Sequence, residues 1–308
     1  MKKSLILALV ALFMMRAVFA GEYRFVIIPK VVHPWFDKVN EGAVEAAEIL
    51  TKETGNKFTI DYRAPQTADV VTQNEILERA IATRPTGIAI DLLDPDGNRA
   101  VLEEAINQGI SVIIFDSEAP EGMDLTTVGN DFAMQAAVAS ERLAKLLNYE
   151  GEVAIIQGVP TAPNHRIRAE AHREVFAKYP KMTLVAEGVD NDDIETAQKE
   201  AAAIISAHPN LRGMVACDAA GPVGIGIAIK EANKVGQVIL VGLDDLNQLI
   251  ELINEGVCES SSSTKPKMQG YWSVLAMWQK SLGVNMPLRI DTGVVIVTKE
   301  MAKNYTGF

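Results

Sequence analysis

Between residues 23 and 299, short runs of aliphatic and β-branched residues alternate with longer stretches whose apolar positions recur every three or four residues. The first pair is YRFVIIPK (23–30) followed by a helical pattern from Trp35 to Lys52, in which Phe36, Val39, Ala43, Ala47 and Leu50 form one stripe. Strands that feed amphipathic helices predict parallel sheets covered on both faces. Further strands are expected at KFTIDYRA (57–64), GIAIDLL (87–93), SVIIFDS (111–117) and TTVGND (126–131), with helices near 68–84 and 97–108. A second set follows: VAIIQG (153–158), MTLVAEGVD (182–190), GMVACDAA (213–220) and VILVGLDD (238–245), each leading into a helical pattern. Two sets of similar length predict two α/β lobes.

The stretch GVCESSSSTKPKMQG (256–270) breaks this rhythm, since four serines before Lys-Pro resemble neither a core strand nor a stable helix. A surface loop is the ordinary meaning of such a cluster. The reading preferred here is a strand that leaves one lobe and crosses to the other. A helix over 268–282 and a last strand over 292–299 complete the pattern, with the edge of the early sheet available to the late elements.

The first twenty residues change the picture of where the chain works. Lys2 and Lys3 precede an apolar run from Leu5 to Met15, and Val18 and Ala20 follow Arg16. This is the layout of a secretory signal peptide cleaved after Ala20, the run being shorter than the roughly 20 residues of a bilayer span. The formal net charge is −11, and loss of Lys2, Lys3 and Arg16 with the leader makes it −14. So acidic a protein is unsuited to nucleic acid or anionic membranes. Cys217 and Cys258 are read first as small buried apolar residues and second as a bridge.

No catalytic constellation is present. The sequence has no GxSxG elbow and no Walker loop, and GPVGIG (221–226) lacks the lysine and serine that phosphate binding needs. His165 and His172 stand two helical turns apart, roughly 10 Å, too far to share a metal. What recurs is a polar residue at the carboxyl end of each strand, where open α/β sheets place ligands: Asp116, Asn130, Asp131, Asp218 and Asp244. Carboxylates accept from adjacent hydroxyls, and Arg166 in PNHRIRAE (163–170) can donate a planar fork, which together suit a polyhydroxylated solute. Each aspartate taken singly could equally cap the next helix. Phe36 belongs first to the core stripe, Trp35 lies beside that stripe and either covers a loop or stacks on a sugar ring, and His33 serves the loop or the ligand.

These residues resemble the periplasmic sugar-binding proteins of the ribose-binding type, which feed ATP-driven importers, over about residues 23–297. HPWFDKVNEGAVEAA is similar to the family's first strand-end loop, which lays aromatics on the sugar and implies contacts from His33, Trp35 and Phe36. SVIIFDSEAP resembles the strand ending in a sugar-binding Asp, here Asp116 followed by Ser117, and TTVGNDFAMQAA the first crossing, with Asn130 and Asp131. HRIRAEAHREVF assigns the contact to Arg166 and a supporting place to Arg168. Asp218 and Asp244 occupy the polar strand ends of the second lobe, and Thr264 and Lys265 the second crossing. Ser117 and Glu118 stand where the ribose binder has an arginine, and Asp192 lies where it has an aromatic. Asp218 replaces its amide and Thr264 its glutamine, so ribose itself is not implied.

The resemblance implies two Rossmann-like lobes joined by a three-segment hinge, with residues 21–129 plus 265–292 in one and 130–264 plus 293–308 in the other. It also implies a small neutral sugar or polyol in the cleft, an ABC importer permease as partner, a periplasmic monomer, and neither metal nor cofactor. The rival readings are an exported enzyme acting on sugars and a receptor-partner protein that reports a sugar-like signal.

Overall fold

The continuous apolar runs form buried parallel strands, as expected for sheets covered on both faces. The computed structural model describes residues 21–305, so the expected leader lies outside the described residues. The first half contains β1 (Glu22–Ile28), α1 (Pro34–Thr54), β2 (Lys57–Tyr62), α2 (Val70–Ala82), β3 (Gly87–Ile90), α3 (Pro95–Asn107), β4 (Ser111–Phe115) and β5 (Thr127–Gly129). Then come α4 (Phe132–Leu146), β6 (Glu150–Gln157), α5 (Pro163–Ala177), β7 (Lys181–Val189), α6 (Ile194–Ala207), β8 (Leu211–Ala216), α7 (Ala220–Glu231) and β9 (Ile239–Leu243). The chain ends with α8 (Asn247–Glu255), β10 (Cys258–Ser263), α9 (Pro266–Ser281), β11 (Arg289–Asp291), β12 (Val295–Thr298) and α10 (Lys299–Ala302).

Two six-stranded sheets result, in the orders β11-β5-β4-β3-β1-β2 and β12-β10-β9-β8-β6-β7. The first is wholly parallel, and the second is parallel except for the β10–β12 pair. This is the two-lobed α/β architecture expected from the alternation of elements. The chain passes between sheets after Gly129, after Ser263 and after Asp291.

Helix α1 starts at its expected signals: His33 Nδ1 accepts from the Trp35 amide, Pro34 opens the first turn, and the stripe from Phe36 to Leu50 is buried. Helix α9 lies directly on α1. A Cβ at Gly42 would stand 1.8 Å from the Lys267 carbonyl oxygen, and one at Gly270 1.8 Å from that of Val39. Only glycine permits this backbone approach, which clamps α9, late in sequence, onto the first lobe.

The serine-rich stretch is a strand. Ser260 to Ser263 are fully buried, pairing in parallel with β9 and antiparallel with β12. Small side chains tolerate this position, and two of the hydroxyls bond nearby groups: Ser261 Oγ donates to the Asp244 carbonyl and Ser263 Oγ to that of Thr264. The late strand expected over 292–299 is β12, and a further short strand, β11, precedes it. Gly293 has φ 77° and donates its amide to Asp291 Oδ1 at 2.7 Å, so the chain turns there. β11 therefore joins the first sheet and β12 the second. Cys217 and Cys258 are both free and buried, in different core clusters. Burial pushes the Cys258 thiol up to about 12.

Candidate functional site

Both sheets present their carboxyl ends to one small cavity, lined by Lys30, His33, Trp35, Phe36 and Asp116 from the first half and His165, Arg168, Asp192, Asp218, Ala219 and Asp244 from the second. All eleven lining residues are buried. Asp116, Asp192 and Asp244 adopt left-handed backbone conformations with φ of 44°, 62° and 63°. Such strain in non-glycine residues is retained where surrounding structure enforces it and gathers at functional sites.

Strand β1 ends at a cation. Lys30 Nζ lies 2.8 Å from Asp91 and 3.5 Å from Asp116, with Asn164 Oδ1 at 3.4 Å. Burial pulls the Lys30 ammonium down, but Asp91, Asp116 and Asp192 outweigh it and hold its pKa above the ordinary value. Asp116 receives Asn164 Nδ2 at 2.8 Å, and Arg168 Nη2 stands 3.8 Å away. The two halves thus meet directly beside the cavity, helped by apolar contact of Leu93 with Val159 and Ala162.

On the opposite wall, Asp218 Oδ1 accepts from the Gly221 amide at 2.7 Å, while its Oδ2 has no hydrogen-bond partner. Asp190 lies against it in the second layer. Burial, joined by the neighbouring Asp218, lifts the Asp190 carboxyl far above its usual range, so it keeps a proton at neutral pH. Asp244 Oδ1 accepts from the Thr264 amide at 3.1 Å and hydroxyl at 2.5 Å. Trp35 Nε1 donates to Thr264 Oγ1 at 3.1 Å, fixing the indole edge.

The imidazoles supply donors. His165 Nδ1 accepts the Val159 amide at 2.8 Å and His33 Nδ1 that of Trp35 at 3.2 Å, which leaves the ring hydrogen on Nε2 in each. Burial, with Lys30 and Arg168 adding to it, holds the His165 pKa well below normal and the ring neutral. His33 Nε2 and Arg168 Nη2, like Asp218 Oδ2, are buried without a hydrogen-bond partner among the described residues. The cavity therefore offers N–H donors, carboxylate acceptors and aromatic surface together, the complement of a ring carrying several hydroxyls.

Of the residues singled out in the sequence, His33, Trp35, Phe36, Asp116, Asp192, Asp218 and Asp244 converge here. Arg166 does not. It is exposed and lines an outer groove with Asp94 and Glu118, because the inward face of α5 runs through His165, Arg168, Ala169 and His172. The guanidinium in the cavity is that of Arg168. Asp131 is exposed and caps α4, accepting from the Met134 amide at 2.8 Å. Ser117 is buried but turns its hydroxyl to the Leu92 carbonyl at 3.4 Å. Asn130 and Thr264 stand behind the wall as supports of Gln135 and Asp244, and Lys265 occupies the N-cap position of α9. Lys30 and His165 went unread as site residues, although Lys30 directly extends the first strand's carboxyl end, where the rule that found the aspartates also applies.

Comparison with known proteins places the chain among solute binders. A periplasmic binding protein domain model matches residues 24–283. The D-ribose/D-allose-binding protein of Pseudomonas aeruginosa is 26% identical over 69% of this chain and 68% of its own. The xylose/arabinose-binding protein of Sulfolobus acidocaldarius is 23% identical over 92% of this chain and 73% of its own. In structure, an ABC transporter solute-binding protein from Burkholderia graminis in complex with D-arabinose superposes with a TM-score of 0.86 at 29% identity, covering 93% of this chain and 99% of that one.

Proposed function

Because the chain belongs to the periplasmic binding protein family, we propose that it captures a small neutral sugar or polyol between its two lobes and delivers it to an ABC importer. The observation that carries this reading is the cavity at the carboxyl ends of both sheets, in which His33 Nε2, Arg168 Nη2 and Asp218 Oδ2 are buried without a hydrogen-bond partner among the described residues. Unpaired buried polar atoms cost free energy that a hydroxylated ligand removes. The ligand contacts are those of the lining residues, with Arg168 in the place first given to Arg166. The lobes divide at Gly129, Thr264 and Thr292, and the protein acts outside the cytoplasmic membrane as a monomer after losing residues 1–20.

The test is a thermal-shift and calorimetric panel of D-arabinose, D-xylose, D-ribose, D-allose and xylitol against the corresponding sugar acids and phosphates. At least one neutral compound is expected to bind and to raise Tm. Turnover of the bound sugar without binding-limited stoichiometry would instead support an exported enzyme. Charge decides within the panel: Asp116, Asp192, Asp218 and Asp244 face two cations, Lys30 and Arg168, and Lys30 is already engaged by Asp91. Anionic compounds are expected to bind at least about tenfold, or roughly 1.4 kcal/mol, more weakly than their neutral counterparts. A preference for the anion would overturn the neutral-ligand reading.

Trp35 provides an internal reporter. It lines the cavity and is 4% exposed, whereas Trp272 is 39% exposed on α9 and Trp278 packs on Phe58. Ligand is expected to change the emission of Trp35, and Trp35→Phe to remove that change while costing up to about tenfold in affinity through the lost bond to Thr264. An emission change that survives Trp35→Phe would place the ligand elsewhere.

A further inference from the structure

Behind the cavity wall runs a hydrogen-bonded chain whose hub is Gln135, fully buried in the first turn of α4. Its carbonyl oxygen accepts twice, from Asn130 Nδ2 at 3.1 Å and from Arg168 Nε at 2.9 Å. Its amide nitrogen donates twice, to the Ser262 carbonyl at 3.0 Å and to Asp244 Oδ1 at 3.4 Å. A primary amide has two donor and two acceptor places, and here all four are filled. Asp244 continues the chain to Thr264, and Thr264 accepts from Trp35.

We infer that Gln135, which does not itself line the cavity, is a positioning residue that holds Arg168 and Asp244 in ligand-binding orientation and ties both to the inter-lobe crossings at Asn130 and Ser262. The chemistry selects an amide. A carboxylate at this place could not donate to Asp244 or to the Ser262 carbonyl, and a cation could not accept from Arg168. An apolar side chain would leave Arg168 Nε and Asn130 Nδ2 without this acceptor in a buried setting and take one donor each from the Ser262 carbonyl and Asp244. The inference rests on the reading of the cavity as the sugar site, because only there does the orientation of Arg168 and Asp244 matter to binding.

Two measurements separate this inference from that reading. The first needs no ligand: in ¹⁵N-labelled protein the Arg168 Nε–H should give a signal slow to exchange with water, assigned by its loss in Arg168→Lys. Gln135→Met is expected to abolish its protection while leaving other buried amides protected. Persistence of a protected signal in Gln135→Met overturns the inference whatever the ligand proves to be. The second is calorimetry with D-arabinose, D-xylose, D-ribose, D-allose and xylitol. Gln135→Met is expected to weaken the best binder about thirtyfold in the native background but less than about threefold in the Arg168→Lys background, because residues in one network are not additive. Equal losses in both backgrounds would mean that Gln135 supports the fold only, and overturn the inference. Should Gln135→Met fail to fold, Gln135→Ala carries both tests, since it too removes the acceptor of Arg168 Nε–H while the space it frees admits water to the groups left unpaired. If none of the five compounds binds the native protein, the sugar reading fails and the exchange measurement alone decides the role of Gln135.

Discussion

Arg168→Ala is expected to weaken binding of the neutral ligand by more than about a hundredfold, near 3 kcal/mol, while Arg166→Ala leaves affinity within about twofold. The two arginines are two residues apart but on different faces of α5. Arg168 is 2% exposed, donates from Nη1 to the Cys217 carbonyl at 3.2 Å, and stands 5.0 Å from the centre of the Phe132 ring. Its removal leaves Asp116 and Asp244 facing each other's charge with no guanidinium between them. Arg166 points to the outer groove and is not among the residues that line the cavity. Calorimetry on variants shown to be folded by near-ultraviolet dichroism measures the contrast. Unchanged affinity in Arg168→Ala, or an equal loss in both variants, would remove Arg168 from the ligand.

Lys30→Met is expected to lower the stability of the unliganded protein by about 3–5 kcal/mol, because it strips the counter-ion from a buried carboxylate. Lys30 and Asp91 are 1% and 0% exposed, and among the described residues no other cation is paired with Asp91. The double variant Lys30→Met, Asp91→Leu is expected to recover most of that loss, since apolar replacement of both partners removes the desolvation cost along with the attraction. Urea unfolding at pH 7 reads both. A loss below about 1 kcal/mol in the single variant would mean that Asp91 is already neutral in the native state.

These two residues mark where the sequence was readable and where it was not. The alternation of apolar runs with amphipathic stretches determined the elements of both lobes, because buried parallel strands and one-sided helices leave unmistakable periods of hydrophobicity. β11 left no such trace: it is three residues long, and two of the three are Arg289 and Asp291. Aspartates at strand ends were legible for the same reason as the strands, since the position follows once the strand is placed. The choice between Arg166 and Arg168 was also within reach, because Ala169, His172, Val175 and Phe176 form the buried face of α5 and Arg168 shares it. Gln135 was beyond reach. Its four partners lie at positions 130, 168, 244 and 262, and no local period connects them.

The last strands have a consequence for how the protein comes into being. Thr126 Oγ1 donates to the Pro287 carbonyl at 2.8 Å across 161 positions of sequence, β11 then closes the β5 edge of one sheet, and β12 closes the β10 edge of the other. During translation, therefore, neither sheet has its final strand until the ribosome has released residues 289–298. Until then the α9 clamp on α1 is the newest join, and the buried serines of β10 present an unpaired edge. Contacts of such long range form late and slowly, and open edges attract other chains. A messenger cut short before codon 289 yields a product in which the β5 and β10 edges stay open.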